Sequence, residues 1–160
     1  GGMARRILVA GAMVSDARLV MADEPTPGLH PEVVQEALGH LKELAKQERA
    51  VMLITHDIEA ALTIADSIAV FYAGTTVEIA PVEDFVGRGE ALRHPYSRAL
   101  WQALPQNDFI SIAGFQPAPG ELPSGCLFAP RCPLAQVTCL QSRPPERLLR
   151  GGKVRCHYAT

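Results

Sequence analysis

Apolar residues in the first half of the chain fall into two patterns, short unbroken runs and longer stripes. Leu19-Val20-Met21-Ala22 is four apolar residues in a row. It is too short for an ordinary helix and predicts a fully buried strand. The run stops on Asp23-Glu24, and Pro25 cannot continue a strand ladder. Pro31 suits the first turn of a helix that extends to about Gln47. Val34, Ala37, Leu38, Leu41, Leu44 and Ala45 form its stripe, with Lys42, Glu43 and Lys46 outside it. Ala50 to Ile54 predicts a second buried strand ending on Thr55-His56-Asp57, and a helix from about Ile58 to Ala65 follows. Ser67 to Tyr72 reads as a third strand, Gly74-Thr75 as a tight turn and Thr76 to Ala80 as its hairpin mate. Ahead of all these, Ile7, Ala10 and Val14 share a face with Met3, which predicts a helix. Strand–helix–strand–helix–strand is the grammar of an α/β fold, a parallel sheet with crossover helices.

Beyond Pro81 the pattern loosens. A short helix is predicted over Val82 to Val86, a surface connection over Arg88 to Arg93, and a helix over about 95–104, introduced by His94-Pro95 and closed by Pro105. Phe109 to Phe115 reads as a short strand, and the remainder as turn and cysteine. Three segments result: 1–80, a connecting segment 81–120, and 121–160.

Composition sharpens that last boundary. All four cysteines (Cys126, Cys132, Cys139, Cys156) lie in the final segment, and prolines thicken from Pro117 to Pro145. This marks a loop-rich unit of different construction. A hydrophobic content of 48% over 160 residues suffices for a real core. A net charge of −2 gives no bias toward polyanions, so nucleic acid is not suggested. No apolar run approaches a membrane span and the start lacks a secretory layout, so a cytosolic protein is the default.

The chemistry concentrates at strand ends. Two acids at the C-terminal end of a buried strand sit where open α/β sheets place their ligands. Successive strand residues point opposite ways, so one acid can hold a metal through water while the other polarises a nucleophile. A strand end whose acids are merely solvated is the plainer alternative. His56 ends the neighbouring strand at the same edge, where imidazole could hydrogen-bond a terminal phosphate oxygen. Gly1-Gly2 ahead of a helix leaves its first N–H groups open to phosphate, although a glycine pair is also what a cloning scar looks like. Tyr96 and Trp101 read as packing rather than a base-stacking platform.

These motifs, in this order and spacing, resemble an ABC-transporter ATP-binding subunit in its C-terminal half. Gly1-Gly2-Met3-Ala4-Arg5-Arg6 is similar to the end of the signature motif. Leu19 to Glu24 looks like the Walker B strand with its catalytic glutamate, Thr26 to His30 like the D-loop, and His56 like the switch histidine. By that resemblance Asp23 would coordinate Mg²⁺ through water and Glu24 would orient or deprotonate the attacking water. His56 would contact the γ-phosphate of ATP, and Gly1 and Gly2 would hold the γ-phosphate bound on the partner subunit. The tail narrows the family. His94-Pro95-Tyr96-Ser97-Arg98-Ala99-Leu100, Leu104-Pro105, Leu122-Pro123-Ser124-Gly125-Cys126 and Pro130-Arg131-Cys132-Pro133 are similar to the C-terminal extension of importers for oligopeptides, dipeptides and nickel. The fold implied is half of a P-loop NTPase (RecA-like) ATPase sheet plus a cysteine-bearing extension. The partners implied are a second ATPase subunit, as homo- or heterodimer, and two transmembrane permeases, with a solute-binding protein indirectly. The place implied is the cytoplasmic side of the membrane, peripherally bound.

Two features depart from the family pattern. No G-x-x-x-x-G-K-[ST] loop occurs in these 160 residues. Without that phosphate cradle they are expected neither to bind ATP well nor to hydrolyse it alone. His30 stands where the D-loop usually carries aspartate, which places coupling between two ATP sites in question. The cysteines are spaced Cys-x5-Cys-x6-Cys-x16-Cys. Structural disulfides are disfavoured in a cytosolic chain. The short hooks of zinc sites are absent, and longer loops around four thiolates suit an Fe–S cluster better, though not at common ferredoxin spacing. The resemblance implies a [4Fe–4S] cluster here, with zinc or unligated thiols as the alternatives. A rival from another class is a truncated, non-catalytic module whose cluster or zinc site serves interaction or regulation. An ABC-type ATPase acting outside transport, as in DNA repair, is a third reading, and the importer-like extension speaks against it.

Overall fold

The computed structural model describes Gly11 and residues 16–160. Gly1, Gly2 and the helix expected over Met3 to Val14, apart from Gly11, lie outside the described residues. The fold is mixed α/β and divides into two compact units, Gly1–Ala65 and Asp66–Thr160.

In the first unit, β1 (Leu19–Asp23) and β2 (Ala50–Ile54) pair in parallel, Val20 opposite Val51 and Asp23 opposite Ile54. The connection is α1 (Pro31–Lys46), started by Pro31, whose missing N–H costs nothing in a first turn. Its stripe buries Ala37, Leu38, Leu41 and Leu44. Leu41 and Leu44 join Val20 in a core that Ala22, Val51, Leu53 and Ile64 complete. Each fully buried leucine contributes about 1.5–3 kcal/mol. α2 (Ile58–Ile64) begins where the Asp57 carboxylate accepts from the Ala60 N–H at 3.0 Å.

Two expectations are corrected here. Neither strand is fully buried: α1 covers one face, and on the other Leu19 and Met21 are 51% and 61% exposed, with Met52 and Ile54 exposed beside them. Period-2 alternation within an unbroken apolar run is invisible until only one face has a cover. The third strand also does not extend the parallel sheet. β3 (Ser67–Tyr72) instead belongs to a separate antiparallel sheet with β4 (Thr75–Pro81), β5 (Arg147–Leu149) and β6 (Gly152–Val154), in the strand order β3-β4-β6-β5.

In the second unit β3 turns through Ala73 and Gly74, both at positive φ (47° and 79°), into β4 (Thr75–Pro81). Two such residues in succession give the hairpin turn whose twist suits antiparallel strands. That turn lies one residue earlier than the sequence suggested. β4 also pairs with β6 (Gly152–Val154), which forms a hairpin with β5 (Arg147–Leu149) through Arg150 and Gly151. Val82–Asp84 is a single 3₁₀ turn, and the expected longer helix is α3 (Pro95–Gln102). Phe109 to Phe115 is irregular rather than a strand. No strand pairs with it among the described residues: the Ile110 N–H donates to the Gln102 carbonyl, and the carbonyls of Ile112 and Ala113 accept from the Arg131 guanidinium. Ala129–Arg131 forms a further 3₁₀ turn, and α4 spans Val137–Gln141.

The core of this unit is aromatic. Tyr72, Tyr96 and Phe128 stand with centroids 4.6–5.4 Å apart, and Trp101 meets Phe85 edge-on while its indole N–H donates to the Gly87 carbonyl. Tyr96 and Trp101 are packing residues, as the sequence suggested. Beneath them Glu78 and Arg93 are almost wholly buried as a pair.

Candidate functional site

The parallel pairing of β1 with β2 brings Asp23, Glu24, Thr55 and His56 to one rim of the first unit. The Glu24 N–H donates to the Ile54 carbonyl at 2.8 Å, which extends the ladder by one bond while the chain already turns away. That turn holds Glu24 at φ 44°, in the left-handed region. A residue with a Cβ is strained there by about 1–2 kcal/mol, and such strain gathers at functional sites. Glu24 Oε1 accepts from the His56 N–H at 3.2 Å and lies 2.9 Å from the His56 ring Nδ1. The Thr55 hydroxyl reaches Glu24 Oε2 at 3.5 Å and accepts from the Asp57 N–H at 3.0 Å. Asp23 is exposed at the strand end. The loop that follows turns on the buried Thr26, whose carbonyl accepts from the Leu29 N–H. His30 sits at the far end of that loop as the N-cap residue of α1, exposed, with its ring 4.0 Å from Glu32.

The hydrogen bond to His56 holds the Glu24 carboxyl below the usual carboxylate range, and Glu24 in turn raises His56 above its ordinary value. The signs are opposite and self-consistent. The histidine's contribution is present below pH 6.5 and fades as pH rises through its raised pKa; the glutamate's is present above 4.5 and fades as pH falls through its lowered one. The ring is 78% exposed, so the effect appears in titration rather than in stability. An NMR titration of His56 is expected to give a pKa above 6.5 that returns toward 6.5 in Glu24→Gln. A ring that titrates identically in both proteins contradicts the pairing.

A second constellation lies in the other unit. Cys126, Cys132, Cys139 and Cys156 all line one cavity, together with His94 and Phe128. The 3₁₀ turn Ala129–Arg131 carries the chain from Cys126 to Cys132, α4 supplies Cys139, and Cys156 follows β6. Cys126 is tied to Cys139 by its N–H donating to the Cys139 carbonyl at 2.7 Å. Gly125 permits that approach, since a Cβ there would stand 2.6 Å from the Leu140 carbonyl oxygen. Burial pushes the thiols of Cys126, Cys132 and Cys156 up, while backbone N–H groups oppose it: Phe128 and Ala129 at Cys126, Leu134 at Cys132, Tyr158 and Ala159 at Cys156. Such N–H donors favour thiolate. Among the described residues no three His, Cys, Asp or Glu side chains are gathered so as to hold a metal ion.

Sequence reasoning passed over three residues that matter here. His94 carried only a family resemblance, yet it is 1% exposed, its Nδ1 accepts from the Tyr96 N–H at 3.0 Å, and burial lowers its pKa to about 4. Arg93 read as the end of a surface connection and Glu78 as one position of a strand; instead the two are buried together, and no local pattern marks them as an internal pair.

Residues 77–139 match the family model described as the C-terminal region of oligopeptide/dipeptide transporters. The chain is 36% identical over 165 residues to the dipeptide transport ATP-binding protein DppD of Escherichia coli, covering 99% of the chain and 50% of that protein. It is 37% identical over 163 residues to the oligopeptide transport ATP-binding protein AppD of Bacillus subtilis, covering 98% of the chain and 49% of that protein. A putative peptide import ATP-binding protein of Brucella abortus is 36% identical over 162 residues, 98% of the chain and 48% of that protein. The chain thus spans about half the length of the relatives it matches. No helix among the described residues is long and apolar enough to cross a membrane.

Proposed function

We propose that this chain, a C-terminal portion of an ATP-binding subunit of the oligopeptide and dipeptide transporter family, supplies the hydrolytic rim of an ABC-type ATPase that powers peptide import. The observation that carries the reading is the Glu24–His56 pair, 2.9 Å apart at the shared end of two parallel strands. In-line phosphoryl transfer asks the protein to position a water and stabilise charge. Glu24 orients that water and takes up its proton, and His56 donates toward the γ-phosphate oxygens once ATP separates it from the carboxylate. Asp23, exposed beside Glu24, would hold Mg²⁺. When bound, the metal neutralises phosphate charge. Gly1 and Gly2 act across the dimer on the partner's γ-phosphate, and His30 alters the D-loop that couples the two sites.

In this reading residues 1–80 belong to a P-loop NTPase sheet with crossover helices, 81–120 connect, and 121–160 form the cysteine-bearing extension. The 160 residues by themselves bind ATP weakly and do not turn it over, because they carry no phosphate loop. The working assembly is two ATPase subunits, identical or not, beneath two permeases at the cytoplasmic face of the membrane. The relatives named above are called peptide, dipeptide or oligopeptide proteins, which favours peptides over nickel as the solute.

For the four cysteines the reading is a [4Fe–4S] cluster. Four thiols line one cavity, and at three of them backbone N–H groups partly oppose the burial that disfavours thiolate. A cubane spreads its thiolates over four irons, so it does not require the tight grouping that a single ion does. Bound there, the cluster would cross-link segments that are otherwise joined by few regular elements. A non-catalytic, cluster-dependent interaction module is the alternative. A subunit carrying these residues and a phosphate loop, assembled with permeases in vesicles, is expected to hydrolyse ATP with stimulation by peptide. An assembled complex without turnover, whose partner binding is lost when iron is removed, overturns the ATPase reading.

A further inference from the structure

Cys126 and Cys139 are drawn together by the backbone itself. The Cys126 N–H donates to the Cys139 carbonyl at 2.7 Å. Covalent bond lengths on either side of that hydrogen bond keep the two Cα atoms within about 6.6 Å of each other. A disulfide spans Cα separations of roughly 4.4–6.8 Å. Gly125 keeps the approach close, because a Cβ there would stand 2.2 Å from the Cys139 carbonyl oxygen. Both residues line the same cavity and both are free thiols. The sulfurs also sense each other, since charge on Cys139 raises the Cys126 thiol. A disulfide asks for two sulfurs only, so it does not depend on the wider gathering that the described residues lack.

The geometry points to Cys126 and Cys139 as an oxidisable dithiol, a site at which hydrogen peroxide closes a reversible disulfide within the cysteine-bearing extension. Exposure sets the order of events: Cys126 is half-buried and Cys139 buried. The Cys126 sulfur attacks one peroxide oxygen; an S–O bond forms as the O–O bond breaks, and the thiol proton leaves with the other oxygen as water. The Cys139 sulfur then attacks the Cys126 sulfenic acid; the S–S bond forms as the S–O bond breaks, and a second water leaves. Two thiols are oxidised and one peroxide is reduced. Burial keeps the Cys126 thiol protonated, so the site answers sustained rather than brief peroxide. Where thiols are otherwise kept reduced, such a bond is transient and redox-sensing rather than structural. Closed, it clamps α4 to the segment carrying Phe128, whose ring packs against Tyr72 and Tyr96.

The inference goes beyond the ATPase reading and does not rest on the cluster. Cluster and disulfide would compete for the same sulfurs, so the full subunit is treated with an iron chelator before the test. It is then exposed to hydrogen peroxide, digested and mapped by fragment-ion mass spectrometry, alongside Cys139→Ala and Cys132→Ala. The expected result is a Cys126–Cys139 link in the unaltered protein and in Cys132→Ala, reversed by a dithiol reductant, with amide exchange across α4 slowed while it is closed. In Cys139→Ala the link is lost and dimedone traps Cys126 as sulfenic acid. A different pair as the main link, thiols that stay free or pass to sulfinic acid without linking, or α4 exchange indifferent to the link overturns the inference. None of these outcomes bears on Glu24 and His56, so the ATPase reading stands or falls separately.

Discussion

Replacing Glu24 by glutamine, in a subunit that joins these residues to a phosphate-binding loop, is expected to lower ATP turnover by about 10²–10⁴-fold while ATP stays bound. The argument starts from geometry. Glu24 Oε1 already accepts from the His56 N–H and faces the His56 ring, so the carboxylate is aimed along the strand ends. Glutamine keeps the volume and one acceptor oxygen but cannot take a proton from water. The fold is indifferent to the change, because the pair is largely solvated and the helix–sheet core of Val20, Leu41 and Leu44 lies away from it. Thermal stability measured alongside turnover is therefore expected to stay unchanged. A variant that retains turnover within a few fold removes Glu24 from the chemistry.

The second large effect is on stability. Glu78→Ala is expected to cost the second unit about 3–5 kcal/mol, the usual result of removing one partner from a buried ion pair. Glu78 has no exposed side-chain surface, and Arg93 has 1%. Glu78 Oε1 accepts from the Arg93 N–H at 2.8 Å and from its guanidinium at 3.2 Å, and Oε2 accepts from the His94 N–H. The same guanidinium reaches Asp84 at 2.7 Å and the carbonyls of Leu149 and Arg150. It lies so close over β6 that a Cβ on Gly152 would stand 2.8 Å from its central carbon. One carboxylate thus fixes β4, the 3₁₀ turn, the entry to α3 and the β5–β6 hairpin together. For a unit of this size the loss corresponds to a fall of roughly 15 °C or more in melting temperature. Asp84→Asn is expected to cost much less, since Asp84 is 20% exposed and Glu78 would still balance the charge. Equal melting temperatures for Glu78→Ala and the unaltered protein contradict this view of the network.

The parts of this structure that were legible in the sequence are those set by local rules. The runs Leu19–Ala22 and Ala50–Ile54, the stripe of the first helix and the Ala73–Gly74 hairpin region each follow from periodicity or turn chemistry. Parallel pairing followed from the intervening helix, and pairing alone puts Glu24 beside His56. What depended on tertiary partners was not legible. Both strands read as fully buried, yet only one face has a cover among the described residues. Phe109 to Phe115 has the composition of a strand but pairs with no strand among the described residues, while β6 and β5, only three residues each, form because β4 offers an edge to β6 and β6 one to β5. Glu78 sits between Val77 and Ile79, where alternation implies an outward charge, and it is buried because Arg93 meets it from 15 residues away. The cysteines announced themselves by composition. Their common cavity, and the histidine beside it, required the fold.

The central claim is that Glu24 and His56 act as one unit at the rim. A double-mutant cycle on ATP turnover by the complete subunit, comparing Glu24→Gln, His56→Ala and the combined variant, tests it most directly. If they act together, the combined variant falls no further than the worse of the two single changes. Losses that multiply independently would place the two side chains in separate roles and contradict the claim.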